Sequence, residues 1–179
     1  MRRLIPAIFW LVVLLPVLRC HEARGQSSLE AGARFGGTVP ATNFAALASS
    51  GIAVGGYLGV WSTDRAFVYF QASYDDFGGE RLDLETISDG AFIPMELGVR
   101  YHPGTRDRSG AYISFAGGRM ISKGDFDENK ASLSLGAGFA LLQSSYRIML
   151  DATFRNEIND PFKSYLVFSV AVGSGGIRL

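Results

Sequence analysis

The 179-residue chain has 17 basic and 17 acidic residues, so its formal charge is zero and no net positive field favours nucleic acid as a partner. Its mean hydropathy of +0.16 is high for a water-soluble protein. After residue 25, however, no apolar run reaches the about 20 residues that a membrane-spanning helix needs. These values argue against a helical membrane protein and favour a single domain in which apolar and polar residues alternate.

The first 25 residues have the features of a secretory signal peptide. Met1–Arg3 is positively charged, and residues 4–18 form an uncharged apolar segment of suitable length. Small residues just before Gln26 predict cleavage at that position. The sequence therefore predicts a signal peptide over 1–25 and one mature domain over 26–179.

Two other interpretations of this N-terminal segment are open. A transmembrane anchor is one, although the apolar run is short and contains Pro6 and Pro16. A lipoprotein with lipid on Cys20 is the other, although Arg19 replaces the small residue that such sites need before the cysteine. Cys20 is the only cysteine, so cleavage before Gln26 leaves a mature chain without disulfides or cysteine metal ligands.

Downstream of the signal segment, apolar and polar residues alternate with the period of two that a β-strand imposes. In the clearest segment, Ile93, Met95 and Leu97 share one face, and polar or small residues occupy the other. Two of the segments, 52–61 and 164–173, are apolar on both faces, so the sequence leaves their orientation open. The predicted strands cover 29–36, 52–61, 67–75, 92–102, 111–118, 132–141, 146–155 and 164–173.

The connections between these segments alternate in length. The longer ones are 39–51, 77–90 and 122–130, the shorter ones are 62–65, 103–109 and 143–145, and 157–163 is intermediate. Outer-membrane barrels have short periplasmic turns and longer outer loops. The pattern predicts an all-β fold: an eight-stranded antiparallel up-and-down transmembrane β-barrel with both ends of the mature chain on the short-turn side.

Side-chain size predicts which face of the barrel is outside. The apolar faces carry Leu, Ile, Met, Phe and Tyr, whereas the opposite faces are rich in Gly, Ser and Ala. The interior of an eight-stranded barrel is only just wide enough to be filled by side chains. The bulky apolar faces are therefore expected to face lipid. A soluble, lipocalin-like periplasmic carrier with the apolar face inward is the alternative.

The predicted inward face carries four basic and four acidic residues. Such charges are costly in lipid but can pair in the interior. We expect a structural ion-pair network that plugs the lumen, with Arg34, Glu96 and Asp151 near its centre. Its members are Glu30, Arg34, Asp75, Glu96, Arg100, Arg147, Asp151 and Arg155. Aromatic residues near the strand ends predict interfacial girdles, formed by Trp61, Tyr101 and Tyr146 at one end and by Tyr74 and Phe154 at the other.

The strand Ile93–Tyr101 has the pattern P-x-E-L-G-x-R-Y, and the strand Tyr112–Gly118 follows it. In these features the chain resembles the small bacterial outer-membrane β-barrel family, the OmpA/OmpX-like and "porin family" barrel domains. The resemblance covers about residues 27–179 and implies a fold and an outer-membrane location. One departure is the terminal Leu179, where such barrels usually carry an aromatic residue that the insertion machinery recognises.

The sequence contains no pattern typical of a catalytic site. His102, the only histidine after the signal segment, is followed by Pro103, Gly104 and Thr105, and it lacks the His-x-Ser spacing of barrel deacylases. We expect it to face a turn. The acidic segment 125–129 lacks the glycine and glutamate positions of an EF-hand loop, so it indicates a solvated loop.

Together these features predict a non-enzymatic integral outer-membrane protein that needs no cofactor or metal. Its surface loops would serve envelope integrity or an interaction. The expected partners are outer-membrane lipids and lipopolysaccharide, together with periplasmic chaperones and the barrel-insertion machinery, and the protein is expected to be a monomer. The alternative is a lipid-modifying or lipid-binding barrel with a lateral opening marked by Pro94 and Pro161, since proline cannot donate to a strand ladder.

Overall fold

The computed structural model describes residues 28–41, 44–45, 48–77, 81–82, 85–86, 90–123, 130–143, 145–158, 160–174 and 177–178; at 81–82, 85–86, 160–163 and 177–178 only the backbone is described. The predicted signal peptide, the acidic segment 125–129 and Leu179 lie outside these residues. Within them, no helix has the length and apolar composition needed to span a membrane.

Eight long strands form one antiparallel sheet. In chain order they are β1 (Ser28–Ala41), β2 (Gly51–Trp61), β3 (Ala66–Phe77), β6 (Gly90–Tyr101), β7 (Gly110–Lys123), β8 (Lys130–Gln143), β9 (Tyr146–Glu157) and β10 (Asp160–Ser174). Three two-residue strands complete the set: β4 (Arg81–Leu82), β5 (Glu85–Thr86) and β11 (Ile177–Arg178).

The sheet closes on itself. Each long strand pairs with the next long strand in the chain, and β10 pairs back to β1 from Gly32↔Gly173 to Ala41↔Ser164. The small strand β11 extends this seam by pairing with the start of β1, and β4 pairs with β5 in a separate hairpin. The predicted eight-stranded up-and-down barrel is thereby confirmed.

The two ends of the barrel differ in the length of their connections. At the short-turn end, the long strands are joined by residues 62–65, 102–109 and 144–145, and the start of β1 lies there with β11. At the loop end, they are joined by 42–50, 78–89, 124–129 and 158–159. The predicted alternation is confirmed except at the last connection.

The predicted connection 157–163 is wrong in length. Strand β9 continues to Glu157 and β10 begins at Asp160, so only residues 158–159 connect them. The register shifts between Asp160 and Ser164, which marks an irregularity in the ladder around Pro161. A bulge accommodates a proline that cannot donate a ladder hydrogen bond. The residues around Pro161, which the sequence places in a connection, therefore belong to an irregular part of strand β10.

The bulky apolar side chains point out of the barrel. Leu135, Phe35 and Ile113 are 63%, 61% and 58% exposed, whereas Glu96 and Arg155 are 0% exposed. A water-soluble barrel has the opposite arrangement. The predicted orientation of the two faces is confirmed.

The two strands that are apolar on both faces are now oriented. Val54 and Leu58 of β2 and Phe168 and Val172 of β10 are about half exposed and point outward. Their alternate neighbours point inward and are buried: Ala53, Tyr57 and Trp61 in β2, and Tyr165, Val167 and Ala171 in β10. Part of the lumen is therefore aromatic.

Tyr57 fills the lumen beside the closing seam because two neighbours lack side chains. Gly32 pairs with both Tyr57 and Gly173 across adjacent strands. A Cβ atom on either glycine would overlap the Tyr57 ring or its hydroxyl group. Glycine at both positions therefore leaves room for the close approach of the Tyr57 ring to the backbone.

Candidate functional site: the filled lumen

The lumen contains three layers of side chains along the barrel axis. Aromatic rings occupy the short-turn end, ion pairs and hydroxyl groups occupy the middle, and a second apolar cluster occupies the loop end. We call these the aromatic layer, the central polar layer and the apolar cap. Each layer draws its residues from several strands, so each depends on closure of the sheet.

The aromatic layer is built around buried rings that touch one another. Trp61 and Phe67 have ring centroids 5.3 Å apart, and Phe67 and Tyr69 stack at 6.0 Å. Such pairs add to the stability that burial of the rings provides. The five rings of the layer are those of Tyr57, Trp61, Phe67, Tyr69 and Tyr112, each at most 7% exposed.

Glu30 is the buried carboxylate of the aromatic layer. The Tyr57 hydroxyl donates to its Oε1 at 3.0 Å, and Trp61 Nε1 donates to its Oε2 at 3.1 Å. Arg147 Nη1 lies 3.9 Å from the same Oε2 and completes an ion pair. Glu30 therefore links the first strand of the barrel to β2 and β9.

Arg100 lies among rings and forms no ion pair with a carboxylate of the described residues. Its Nη1 donates to Met149 Sδ at 2.9 Å. A guanidinium over ring faces is attracted by their quadrupoles. The ring centroids nearest its Cζ are those of Tyr57 and Phe67 at 5.5 Å, Tyr69 at 5.1 Å and Tyr112 at 4.8 Å.

Arg155 joins two carboxylates in the central polar layer. It pairs with Asp75, and its Nε lies 3.4 Å from Glu96 Oε2. Asp75 also accepts a hydrogen bond of 2.8 Å from the Tyr165 hydroxyl. The three charged groups come from β9, β3 and β6, so this cluster spans the lumen.

Glu96 is almost fully satisfied by polar neighbours. Gln71 Nε2 donates to its Oε2 at 2.7 Å, Ser132 donates to its Oε1 at 3.2 Å, and Ser134 donates to the same oxygen. Buried charges persist only with such partners. The serines that the sequence places opposite the apolar face thus supply hydrogen bonds as well as small volume.

Arg34 and Asp151 were predicted in the ion-pair network, but neither forms an ion pair with a residue that the structure describes. Arg34 Nε donates to Ser169 at 2.7 Å, and its other nitrogens donate to Gln71 and Thr153, so among the described residues hydroxyl and amide oxygens take the place of a carboxylate. Asp151 is half-buried and accepts a 3.4 Å hydrogen bond from Ser169. Ser169 thus lies between these two charges.

The apolar cap closes around a residue from a connection. Phe44, between β1 and β2, is 0% exposed and packs against Phe77 at 5.1 Å and Phe92 at 5.8 Å. Phe77 in turn packs against Tyr165 at 5.0 Å. The remaining members of the cap are Ala53, Met120 and Val167.

The eight predicted lumen residues all face inward, but they do not form one network. Ion pairs join Arg155 to Asp75 and Glu96, and Arg147 to Glu30. The remaining three members are held by other contacts: Arg34, Arg100 and Asp151. The girdle prediction is wrong for Trp61, which is 5% exposed and points into the lumen because Glu30 accepts its N–H.

Solved structures show which fold this is. The N-terminal β-barrel domain of Pseudomonas aeruginosa OprF matches with 18% identity and a TM-score of 0.52, over 83% of this chain and 96% of that domain. Neisserial surface protein A (NspA) matches with 11% identity and a TM-score of 0.57, over 86% and 99%. The chain shares the fold of these small outer-membrane β-barrels. The resemblance expected from the sequence is confirmed at the level of fold.

The comparisons by sequence give no match. No protein-family model matches the chain, and no curated protein matches it. Identities of 18% and 11% carry the fold alone. Any activity must therefore be argued from the residues of this barrel.

His102 points into the aromatic layer and is 2% exposed. Its ring lies 5.1 Å from the rings of both Trp61 and Tyr112. Burial first, and then the positive charges of Arg100 and Arg147, lower the pKa of His102 to about 3. A neutral histidine packed among rings fits a structural role. Among the residues that the structure describes, no three His, Cys, Asp or Glu side chains lie close enough together to hold a metal ion.

Replacement of Arg155 should destabilise the barrel more than replacement of any exposed arginine does. Arg155→Met leaves Asp75 and Glu96 buried without their cation, which costs about 3–5 kcal/mol. The free energy of unfolding in urea measures this loss. Arg108→Met, an exposed change of the same type, should stay within about 0.5 kcal/mol of wild type.

A triple variant separates charge from packing at this site. Adding Asp75→Asn and Glu96→Gln to Arg155→Met removes both stranded charges and should recover part of the lost stability. If the triple variant is no more stable than Arg155→Met, the ion pairs contribute little and side-chain volume accounts for the effect.

His102 should stay neutral at all physiological pH values. An unfolded histidine takes up its proton near pH 6.5, whereas native His102 does so near 3. The stability that neutral His102 contributes is therefore present above pH 6.5 and is lost as the pH falls towards 3. NMR of the mature chain from Gln26, in which His102 is the only histidine, should show ring resonances that do not shift between pH 8 and 5, and a midpoint near 6.5 would contradict this assignment.

Proposed function

We propose that the protein is an exported, integral outer-membrane β-barrel with a non-enzymatic role in envelope integrity or surface interaction. One observation carries the proposal. The wall exposes Leu135, Phe35 and Ile113, whereas Asp75, Glu96 and Arg155 are fully buried. A wall that is apolar outside and charged inside is stable in lipid and unfavourable in water.

The lumen in this proposal is closed by its own side chains. The aromatic layer and the apolar cap lie on either side of the central polar layer. Large aqueous channels need about 16 strands, and this barrel has eight long ones. The barrel would therefore serve through its surface, without a diffusion pore.

A lipid-modifying barrel with a lateral opening is the second candidate, and one observation favours it. Strands β3 and β6 keep a single register, but pairing is interrupted between Ala72↔Met95 and Asp75↔Phe92, beside Pro94. The lumen behind this gap is occupied by buried Phe92 and Arg155. An entering lipid would have to displace them, so the closed barrel is the better supported candidate.

The proposed partners follow from the proposed location. Periplasmic chaperones and the insertion machinery would bind the unfolded chain during export. Outer-membrane lipids and lipopolysaccharide would surround the folded barrel, which would act as a monomer. No nucleic acid is involved in this proposal.

A single arginine on the outer wall tests the lipid environment. Leu135→Arg should cost about 2–4 kcal/mol in phospholipid vesicles, because a cation near mid-depth is unfavourable in lipid. Gly104→Arg is the matched control, since a side chain at Gly104 meets open space in a turn. Urea unfolding measures both. A soluble carrier would tolerate both changes. It would also be released from cells in the periplasmic fraction without detergent.

Conductance tests the closed lumen separately. The wild-type protein should show no large steady conductance in a planar bilayer. The double variant with Phe92→Ala and Tyr112→Ala removes one ring from the apolar cap and one from the aromatic layer, so it should raise the conductance. Heat-modifiable gel migration confirms that the variant is folded. A large steady wild-type current would exclude a closed lumen, and altered lipid A mass upon overexpression would favour the enzyme.

A further inference from the structure

Where side chains are described, the outward face of the strands carries very few charges. At the strand positions whose side chains are described, the charged residues that point outward are Asp76, Arg119 and Lys123. The other outward positions with described side chains are apolar, small or uncharged. These three residues lie on β3 and β7, which flank β6. They form one patch, which we call the rim patch.

The rim patch lies towards the loop end of the barrel. Lys123 is the last residue of β7, and Arg119 lies four residues earlier on the same face, so their Cα atoms are about 13 Å apart. Arg119 pairs with Ala131, the second residue of β8. At the short-turn end, the outward strand positions carry Tyr101 and Tyr146 and no charge among the described residues.

Neither cation of the rim patch is neutralised by a residue that the structure describes. Arg119 and Lys123 are exposed, and neither forms an ion pair or a side-chain hydrogen bond with a residue that the structure describes. Lys130, at the same end, shows the contrast: its Nζ lies 3.0 Å from Glu157 Oε1. Asp76 is half-buried and lies two strands from Lys123, across Ala91, which separates their Cα atoms by about 10 Å.

The cost of a lipid-facing cation locates the patch in the bilayer. That cost is about 2–4 kcal/mol at mid-depth and about 0–1 kcal/mol near the interface. Long basic side chains at the interface extend their charged ends towards the headgroups. The headgroup atoms at this level that carry negative charge are phosphate oxygens. An arginine fork binds two of them in parallel, and a lysine adds a second point charge.

We propose that Arg119 and Lys123 bind a phosphate of a lipid headgroup in the leaflet at the loop end of the barrel. The inference rests on the proposed membrane location and adds a defined contact to it. In an outer membrane, that leaflet holds phosphorylated glycolipid. Arg119 binds the phosphate at the edge of the apolar belt, and Lys123 lies one step nearer the loops.

The test compares matched charge deletions in the full mature chain. One variant carries Arg119→Ala and Lys123→Ala, and the control carries Arg65→Ala and Arg108→Ala, two exposed arginines in the turns of the short-turn end. Each protein is reconstituted in phosphatidylcholine vesicles with increasing diphosphorylated lipid A. Copurified lipid A is counted by mass spectrometry to give an apparent Kd.

The rim-patch variant should bind diphosphorylated lipid A about tenfold more weakly than wild type, because charge-assisted hydrogen bonds are lost. The control should bind like wild type. Dephosphorylated lipid A with the same acyl chains should bind weakly and equally to all three proteins. Inorganic phosphate at the lipid phosphate concentration should not compete.

Equal binding by wild type and the rim-patch variant would overturn the inference, as would an equal loss in the control. The inference would also be overturned if wild type still bound dephosphorylated lipid A more tightly than the rim-patch variant does. Competition by inorganic phosphate would indicate that the patch binds a soluble phosphate and not a lipid headgroup. Failure of the proposed function looks different: the wild-type protein would then not insert, as judged by heat-modifiable migration and protection from protease.

Discussion

Closure of the sheet is the constraint on which the rest of the structure depends. Pairing of β10 with β1 removes both free edges, so the ladder is continuous around the wall. In hydrocarbon, a backbone group without a partner costs several kcal/mol, and a closed ladder avoids that cost. Closure at eight long strands also limits the internal radius. The inward side chains must then fill a narrow space, so they must complement one another in volume and in charge.

The order of the three layers follows from this restricted space. The ion pairs of Arg155 with Asp75 and Glu96 lie in the middle, away from water. Poorly solvated charges attract one another strongly, but leaving any of them alone is costly. The aromatic layer and the apolar cap shield this centre from both ends of the barrel. The filling thus combines apolar packing at the ends with hydrogen-bonded charge between them.

Local alternation was sufficient to predict the strands, their number and the facing of six of the eight, because a lipid-facing wall repeats every two residues along each strand. It was insufficient for the contents of the lumen. Trp61 and Tyr57 lie in a segment that is apolar on both faces, and only the structure shows that both rings point inward. Apolar residues on both faces were themselves the signal of an aromatic interior. The partners of Arg100 could not be predicted, because they depend on the stagger between strands, which no local pattern contains.

Phe44 belongs to a connection by sequence but to the core by position. The segment between β1 and β2 therefore has two structural roles: it joins the two strands, and its Phe44 ring closes the loop end of the lumen. Peptide grafting for surface display treats such connections as replaceable. Here an epitope inserted beside Phe44 would draw its ring away from Phe77 and loosen the seal, so display should leave this segment unaltered.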